Sequence, residues 1–220
     1  MSGIDLVIFD FDGVLVDSET MGCQIWSDVF AKHGMTVPAK DVMEKYTGKT
    51  GTLICSLVEQ EYGYKIPEGF LDEVNEETET VMARELKTVS GVLETLPQLK
   101  IPFCIASGSR PKRLNMCLDV TGLRHYFPEE TVFSSHFVKN GKPAPDLFFY
   151  ASEKMNVSPE NCLVIEDSTS GVIGAKAAGM RVFGFVGGSH CTAERGVQLT
   201  QSGAELLFED FTLLPKLLEG

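Results

Sequence analysis

After Ser90-Gly91 the chain settles into a rhythm that few architectures accept, in which stretches of helical periodicity alternate with short β-prone runs. The spacing predicts helices over 92–99, 110–120, 146–155 and 169–178, the last closed by Gly179. Between them it predicts strands over 103–106, 131–133, 162–165 and 181–185, with 204–208 as an edge strand and 213–218 as a final short helix. Alternation of this kind implies right-handed crossovers and a mostly parallel sheet, because parallel neighbours must be joined by a connection long enough to hold a helix.

One earlier stretch breaks the rhythm. The apolar run Ile4 to Phe9 reads as a first strand. From Ser18, however, Met21, Ile25, Trp26, Val29 and Phe30 recur at spacings of three and four, with Ser18 as the cap and Gly34 as the stop. Further helices are predicted over 42–46, 53–62 and 70–86, and no convincing strand falls between Asp17 and Leu86. The last is acidic, and Glu68, Asp72, Glu73, Glu76, Glu77 and Glu79 read as a solvated face. The expected fold is therefore an α/β core of about five strands, residues 1–16 and 88–220, interrupted after its first strand by a helical cap, residues 17–87.

Composition narrows the function. A chain of 220 residues with 43% hydrophobic and 23% charged residues is long and apolar enough for a real core. No uninterrupted apolar stretch approaches the ~18 residues of a membrane span, so no membrane partner is expected. The formal charge of −12 argues against nucleic acid, whose phosphate backbone demands a basic surface. Six cysteines without a Cys-x-x-Cys pair suit reduced thiols, and Asp5 stands where a signal peptide wants basic residues. A cytoplasmic location is expected.

The residues with chemical promise stand at predicted strand ends, the edge where open α/β sheets bind ligands. The first strand runs into Asp10-Phe11-Asp12-Gly13-Val14-Leu15; taken alone, this is also what a strand ending in an acidic turn looks like. Ile105-Ala106 leads into Ser107-Gly108-Ser109, whose hydroxyl and backbone N–H groups ahead of a helix can bind an anion. Lys142 lies on Asn140-Gly141-Lys142-Pro143-Ala144-Pro145-Asp146, a loop stiffened by its prolines. Val164-Ile165 ends in Glu166-Asp167-Ser168, a second acidic pair. Two acidic strand ends brought together repel, and a divalent cation relieves this most simply; oxygen ligands favour Mg²⁺.

Together these motifs, with Gly171, resemble the haloacid dehalogenase superfamily, in its β-phosphoglucomutase-like and phosphatase branch with a helical cap and a Rossmann-like core. The resemblance spans essentially the whole chain. It implies that Asp10 is a nucleophile forming an aspartyl-phosphate, and that Asp12 is the general acid and base. It implies Mg²⁺ held by the Asp10 carboxylate, the Asp12 carbonyl and Asp167, with Glu166 direct or through water. Ser107, Gly108 N–H and Lys142 would hold the phosphoryl oxygens.

Because family members that cleave carbon–halogen bonds lack the second acid, the presence of Asp12 implies a phosphomonoesterase, and a cap of this size suits a small phosphorylated metabolite, a sugar phosphate first, as substrate. The alternative is a phosphosugar mutase of the β-phosphoglucomutase kind. Against it, Gly22 stands where the mutase has a histidine restraining its general acid, and Gly48-Lys49-Thr50-Gly51 replaces an arginine-bearing loop. With Asp12 unrestrained, hydrolysis is expected to win. Glu19, Lys49 and Ser109 are candidate substrate contacts, Lys49 because its cap loop is bounded by glycines. His33, His125, His136 and His190 read as structural or surface residues, and the chain is expected to act as a monomer or weak dimer.

Overall fold

The computed structural model describes residues 3–219. It separates into two compact units, Met1–Asp17 with Lys87–Gly220, and Ser18–Leu86. Asp17 and Lys87, placed above in the helical segment, fall in the α/β unit. There Asp17 N–H donates to Lys87 C=O at 3.0 Å, and Val16 bridges Thr88 in antiparallel fashion.

The α/β unit carries strands β1 (Leu6–Phe9), β2 (Phe103–Ser107), β3 (Val132–Ser134), β4 (Cys162–Glu166), β5 (Arg181–Phe185) and β6 (Leu206–Phe208). All pairings are parallel, in the order β3-β2-β1-β4-β5-β6. This is an α/β doubly wound sheet, and the edge run over 204–208 forms the sixth strand. Strands β1 and β4 are buried throughout, which is why they read as unbroken apolar runs. Alternate residues face opposite layers. Leu6 and Ile8 join Leu147, Phe148, Val172 and Ala175 in one core layer. Phe9 meets Phe211 and Phe103 in another, with centroids 5.9 and 6.0 Å apart.

The helical unit holds α1 (Glu19–Lys32), α2 (Ala39–Asp41), α3 (Gly51–Tyr62) and α4 (Phe70–Glu85), with a π-helical turn at Val42–Tyr46. Its core includes Ile25, Val29, Phe30, Phe70 and Val74, with Phe30 and Phe70 stacked at 4.9 Å. Ser18 does precede α1, but at φ −95°, ψ −22° it is already helical and its side chain makes no cap bond, unlike the capping serine expected there. Gly34, at φ 73°, ends the helix as the left-handed residue, with Met35 N–H bonded to Phe30 C=O at 2.9 Å. The acidic face of α4 is not wholly solvated. Lys32 pairs with Glu77 at 2.9 Å and His33 Nε2 meets Glu73 at 2.7 Å, contacts worth little each at this exposure.

The α/β unit adds α5 (Val92–Thr95), α6 (Pro111–Val120), α7 (Asp146–Lys154), α8 (Thr169–Ala177), α9 (Ala193–Ser202) and α10 (Leu214–Glu219). Helix α9 was not expected, for Gly196 interrupts it and little of it is buried. Its signals lie at its ends: Thr192 Oγ1 accepts from Arg195 N–H, and Gly203 stands at φ 113°. All six cysteines are free. Among the described residues, no helix is long and apolar enough to cross a membrane.

Candidate active site

Strand order reverses between β1 and β4, where Phe9 pairs with Ile165. Asp10 follows β1, while Glu166 ends β4 and Asp167 follows it, so three carboxylates reach one sheet edge at the switch point. One ligand oxygen from each lies within 4.8 Å of the others, and all three residues are buried. Asp10 N–H is held by Ile165 C=O at 2.9 Å.

A single cation bridges two of them. Lys142 Nζ is 2.9 Å from Asp10 Oδ1 and 2.5 Å from Glu166 Oε1, and it lies over the Phe148 ring at 5.4 Å. Burial works against the ammonium, but the charges of Asp10 and Glu166 outweigh it and hold Lys142 well above its ordinary range. Burial and the neighbouring Glu166 and Asp167 push the Asp10 carboxyl well up, against the opposing pull of Lys142.

Glu166 has both oxygens engaged, since Oε2 accepts from Ser168 N–H at 3.0 Å and Ser168 Oγ at 2.8 Å. Ser168 Oγ in turn caps α8 by accepting from Gly171 N–H at 3.0 Å. A Cβ at Gly171 would overlap the Glu166 carboxylate. Gly171→Ala is expected to lose roughly 1–3 kcal/mol of stability, as overpacking does, and to displace Lys142 with Glu166. A urea melt superimposable on that of the unaltered protein would show the carboxylate to be free to move.

Three further features lie at the ends of β1, β2 and β5, on the same edge of the sheet. Ser107 is buried at the end of β2, and its Oγ accepts from Ser109 N–H at 3.0 Å. Ser134 Oγ donates to Ser109 C=O at 2.7 Å and Ser135 Oγ to Gly108 C=O at 3.1 Å, so β3 and the turn after it pin the Ser107-Gly108-Ser109 loop. Nothing stands within 4 Å of a Cβ built on Gly108, whose side of the loop is open.

Asp12 is restrained, contrary to expectation, and from the α/β unit. Arg113 Nη1 donates to its Oδ2 at 2.9 Å and Nη2 to its Oδ1 at 2.6 Å, while Ser109 Oγ donates to Oδ2 at 2.7 Å. Arg113 was not anticipated, although the i, i+4 spacing from Ser109 at the start of α6 was visible.

His190, read above as structural or surface, is buried beside the cluster with Nε2 2.8 Å from Asp167 Oδ2. Burial lowers its pKa, but the hydrogen bond to Asp167 prevails and lifts it to about 10. Asp17 holds the same loop by accepting from Ser189 Oγ at 2.7 Å. Gly13, at φ 79°, lies so close to Asp167 and His190 that a Cβ would strike both. Asking of β5 what was asked of β1 and β4 would have found this loop, since Gly187-Gly188-Ser189-His190 follows that strand closely.

Glu19 opens α1 and Lys49 follows the π-helical turn, where its Nζ donates to Lys45 C=O at 2.7 Å. Both belong to the helical unit.

Residues 7–185 match the haloacid dehalogenase-like hydrolase family. The chain belongs to this family. Among the haloacid dehalogenase-like hydrolases it is similar to, 6-phosphogluconate phosphatase of Escherichia coli (strain K12) is 31% identical over 86% of this chain and 86% of its own. A phosphorylated carbohydrates phosphatase of Thermotoga maritima is 32% identical, over 98% of this chain and 99% of its own. A crystal structure of a conserved haloacid dehalogenase-like protein of unknown function from Agrobacterium tumefaciens superposes with a TM-score of 0.90. It is 36% identical, over 99% of this chain and 98% of that one.

Proposed function

We propose that this haloacid dehalogenase-type phosphatase, a hydrolase of phosphoric monoesters, acts on a small phosphorylated sugar or related metabolite through an aspartyl-phosphate. The observation that carries the reading is the meeting of Asp10, Lys142, Glu166 and Asp167 at the switch point of the sheet. Relatives named for 6-phosphogluconate and for phosphorylated carbohydrates support the sugar class, and favour hydrolysis over a mutase.

Asp10 attacks phosphorus, so that an Oδ–P bond forms as the bond to the leaving oxygen breaks. Asp12 delivers a proton to that oxygen, then takes one from the water that attacks the aspartyl-phosphate; phosphate departs and Asp10 is restored. Ser107, Gly108 N–H and Lys142 hold the phosphoryl oxygens and stabilise their charge in the transition state. Glu166 fixes Lys142 and shares the cluster, while His190 orients Asp167.

The donor set fits a divalent cation. Three buried carboxylates converge, with oxygen atoms alone, and burial together with their mutual repulsion raises the Asp10 pKa. Asp10, Asp167 and the Asp12 carbonyl would hold Mg²⁺, with Glu166 adjoining, and the ion would supply charge neutralisation and polarisation of the phosphoryl group. Chelation is expected to abolish hydrolysis. Added Mg²⁺ should raise stability by about 2.7 kcal/mol at a hundredfold excess over Kd, read as a rise in Tm. A chelator-insensitive rate would remove the ion from the scheme.

Glu19 and Lys49 of the helical unit, proposed as the cap, and Ser109 of the core are the proposed substrate-reading residues. Six free thiols fit a reducing compartment such as the cytoplasm. The test is phosphate release from a panel of sugar phosphates, glycolate phosphate and nucleotides. Sugar phosphates are expected to lead, with no isomeric sugar phosphate accumulating. A preference for nucleotides would overturn the substrate class, and accumulation of isomers would restore the mutase.

A further inference from the structure

We infer that Arg113 is a positioning residue for the proton-transfer step: its guanidinium fork sets the plane of the Asp12 carboxyl against the phosphoryl site. The inference rests on the reading of Asp12 as general acid and base. A proton donor works only within hydrogen-bond reach of the oxygen it serves. An aspartate side chain turns about two bonds, and a single contact leaves one of them loose. Two parallel N–H···O bonds to the two carboxylate oxygens, at 2.9 and 2.6 Å, fix both.

The fork is itself fixed. Arg113 lies on the first turns of α6, whose Leu114, Cys117 and Leu118 are fully buried and anchor the helix to the core. Ser109 closes the network, accepting from Arg113 and donating to Asp12, and its own carbonyl is held by Ser134. The Arg113 and Asp12 side chains are only 22% and 15% exposed, so the pair is shielded from the competition with water that weakens surface pairs. A rigid element therefore supports a residue whose own backbone, in the turn after β1, carries the nucleophile two positions earlier.

The consequence is specific to the leaving group. An alkoxide leaves phosphorus poorly without a proton, whereas p-nitrophenolate needs none. Because kcat/KM reports events up to the first irreversible step, it isolates departure of the leaving group from the later hydrolysis of the aspartyl-phosphate. Arg113→Ala is expected to lower kcat/KM for the alkyl phosphates of the panel by about 10²-fold, the lower range of general-acid catalysis. With p-nitrophenyl phosphate, kcat/KM should stay within roughly a factor of three. There, kcat and KM should fall together and a burst of nitrophenolate should appear, since the misplaced Asp12 also serves the attacking water.

Arg113→Lys, which keeps the charge and loses the fork, should show the same selectivity in smaller measure, and added guanidinium should partly rescue Arg113→Ala on alkyl phosphates. Equal losses on both substrates would overturn the inference in favour of phosphate binding or a merely structural role. Unchanged or faster alkyl turnover would overturn it as well. Asp12→Asn serves as the reference: if it too lacks leaving-group selectivity, what fails is the reading of Asp12 itself.

Discussion

Asp10→Asn is expected to lower turnover by at least about four orders of magnitude, the scale on which loss of a nucleophile acts, while leaving the fold as stable as before or more so. The second half of that expectation comes from electrostatics. Asp10 is buried beside Glu166 and Asp167, and burial and those charges oppose its ionisation. An amide of the same shape removes one of three repelling charges. Lys142 keeps its bond to Glu166, so no cation is stranded. Phosphate release with Mg²⁺ present checks the first half, and thermal melts of the metal-free protein check the second. Near-normal turnover would end the nucleophile assignment, and a large fall in Tm would show the repulsion to be already neutralised.

Lys142→Ala should behave in the opposite way. The ammonium is the bridge between Asp10 and Glu166, and its removal leaves a Glu166 side chain with no exposure at all facing another carboxylate. Breaking a buried pair from one side costs about 3–5 kcal/mol, so this variant should melt well below the unaltered protein. Its kcat should fall by about 10²–10³, as when one transition-state donor is lost. Denaturant titration gives the first quantity and steady-state kinetics the second. A variant that loses activity with its stability intact would mean that Glu166 is held by Ser168 alone.

The sheet was legible because its strands are buried on both faces and therefore show as apolar runs with sharp ends, Ile4 to Phe9 and Cys162 to Ile165 above all. Those ends also marked where to look for Asp10 and Asp167. Helix α9 was illegible by the same measure, since a helix that buries little beyond Gly196 and Leu199 leaves almost no periodic trace. Arg113 and His190 escaped for another reason. Arg113 meets Asp12 across 101 positions of sequence, and such a pairing is written in the topology that brings β1 beside β2, not in the neighbourhood of either residue. The restraint on Asp12 comes from Arg113 on α6, not from position 22 of the helical segment, where this chain has a glycine. Resistance to the mutase reading thus rests on the relatives and on the Gly48-Lys49-Thr50-Gly51 loop, and no longer on a loose Asp12.

Where the helical segment leaves the sheet and where it returns, the backbone is tied side by side, Asp17 to Lys87 and Val16 to Thr88. The closure entropy of the excursion is therefore met by ordinary backbone bonding at its base, and grows only slowly with the length of whatever lies between. A cassette with adjoining ends can be lengthened, shortened or traded for another without disturbing strand register. The sheet edge that carries Asp10 is thus insulated from changes in the length of the excursion.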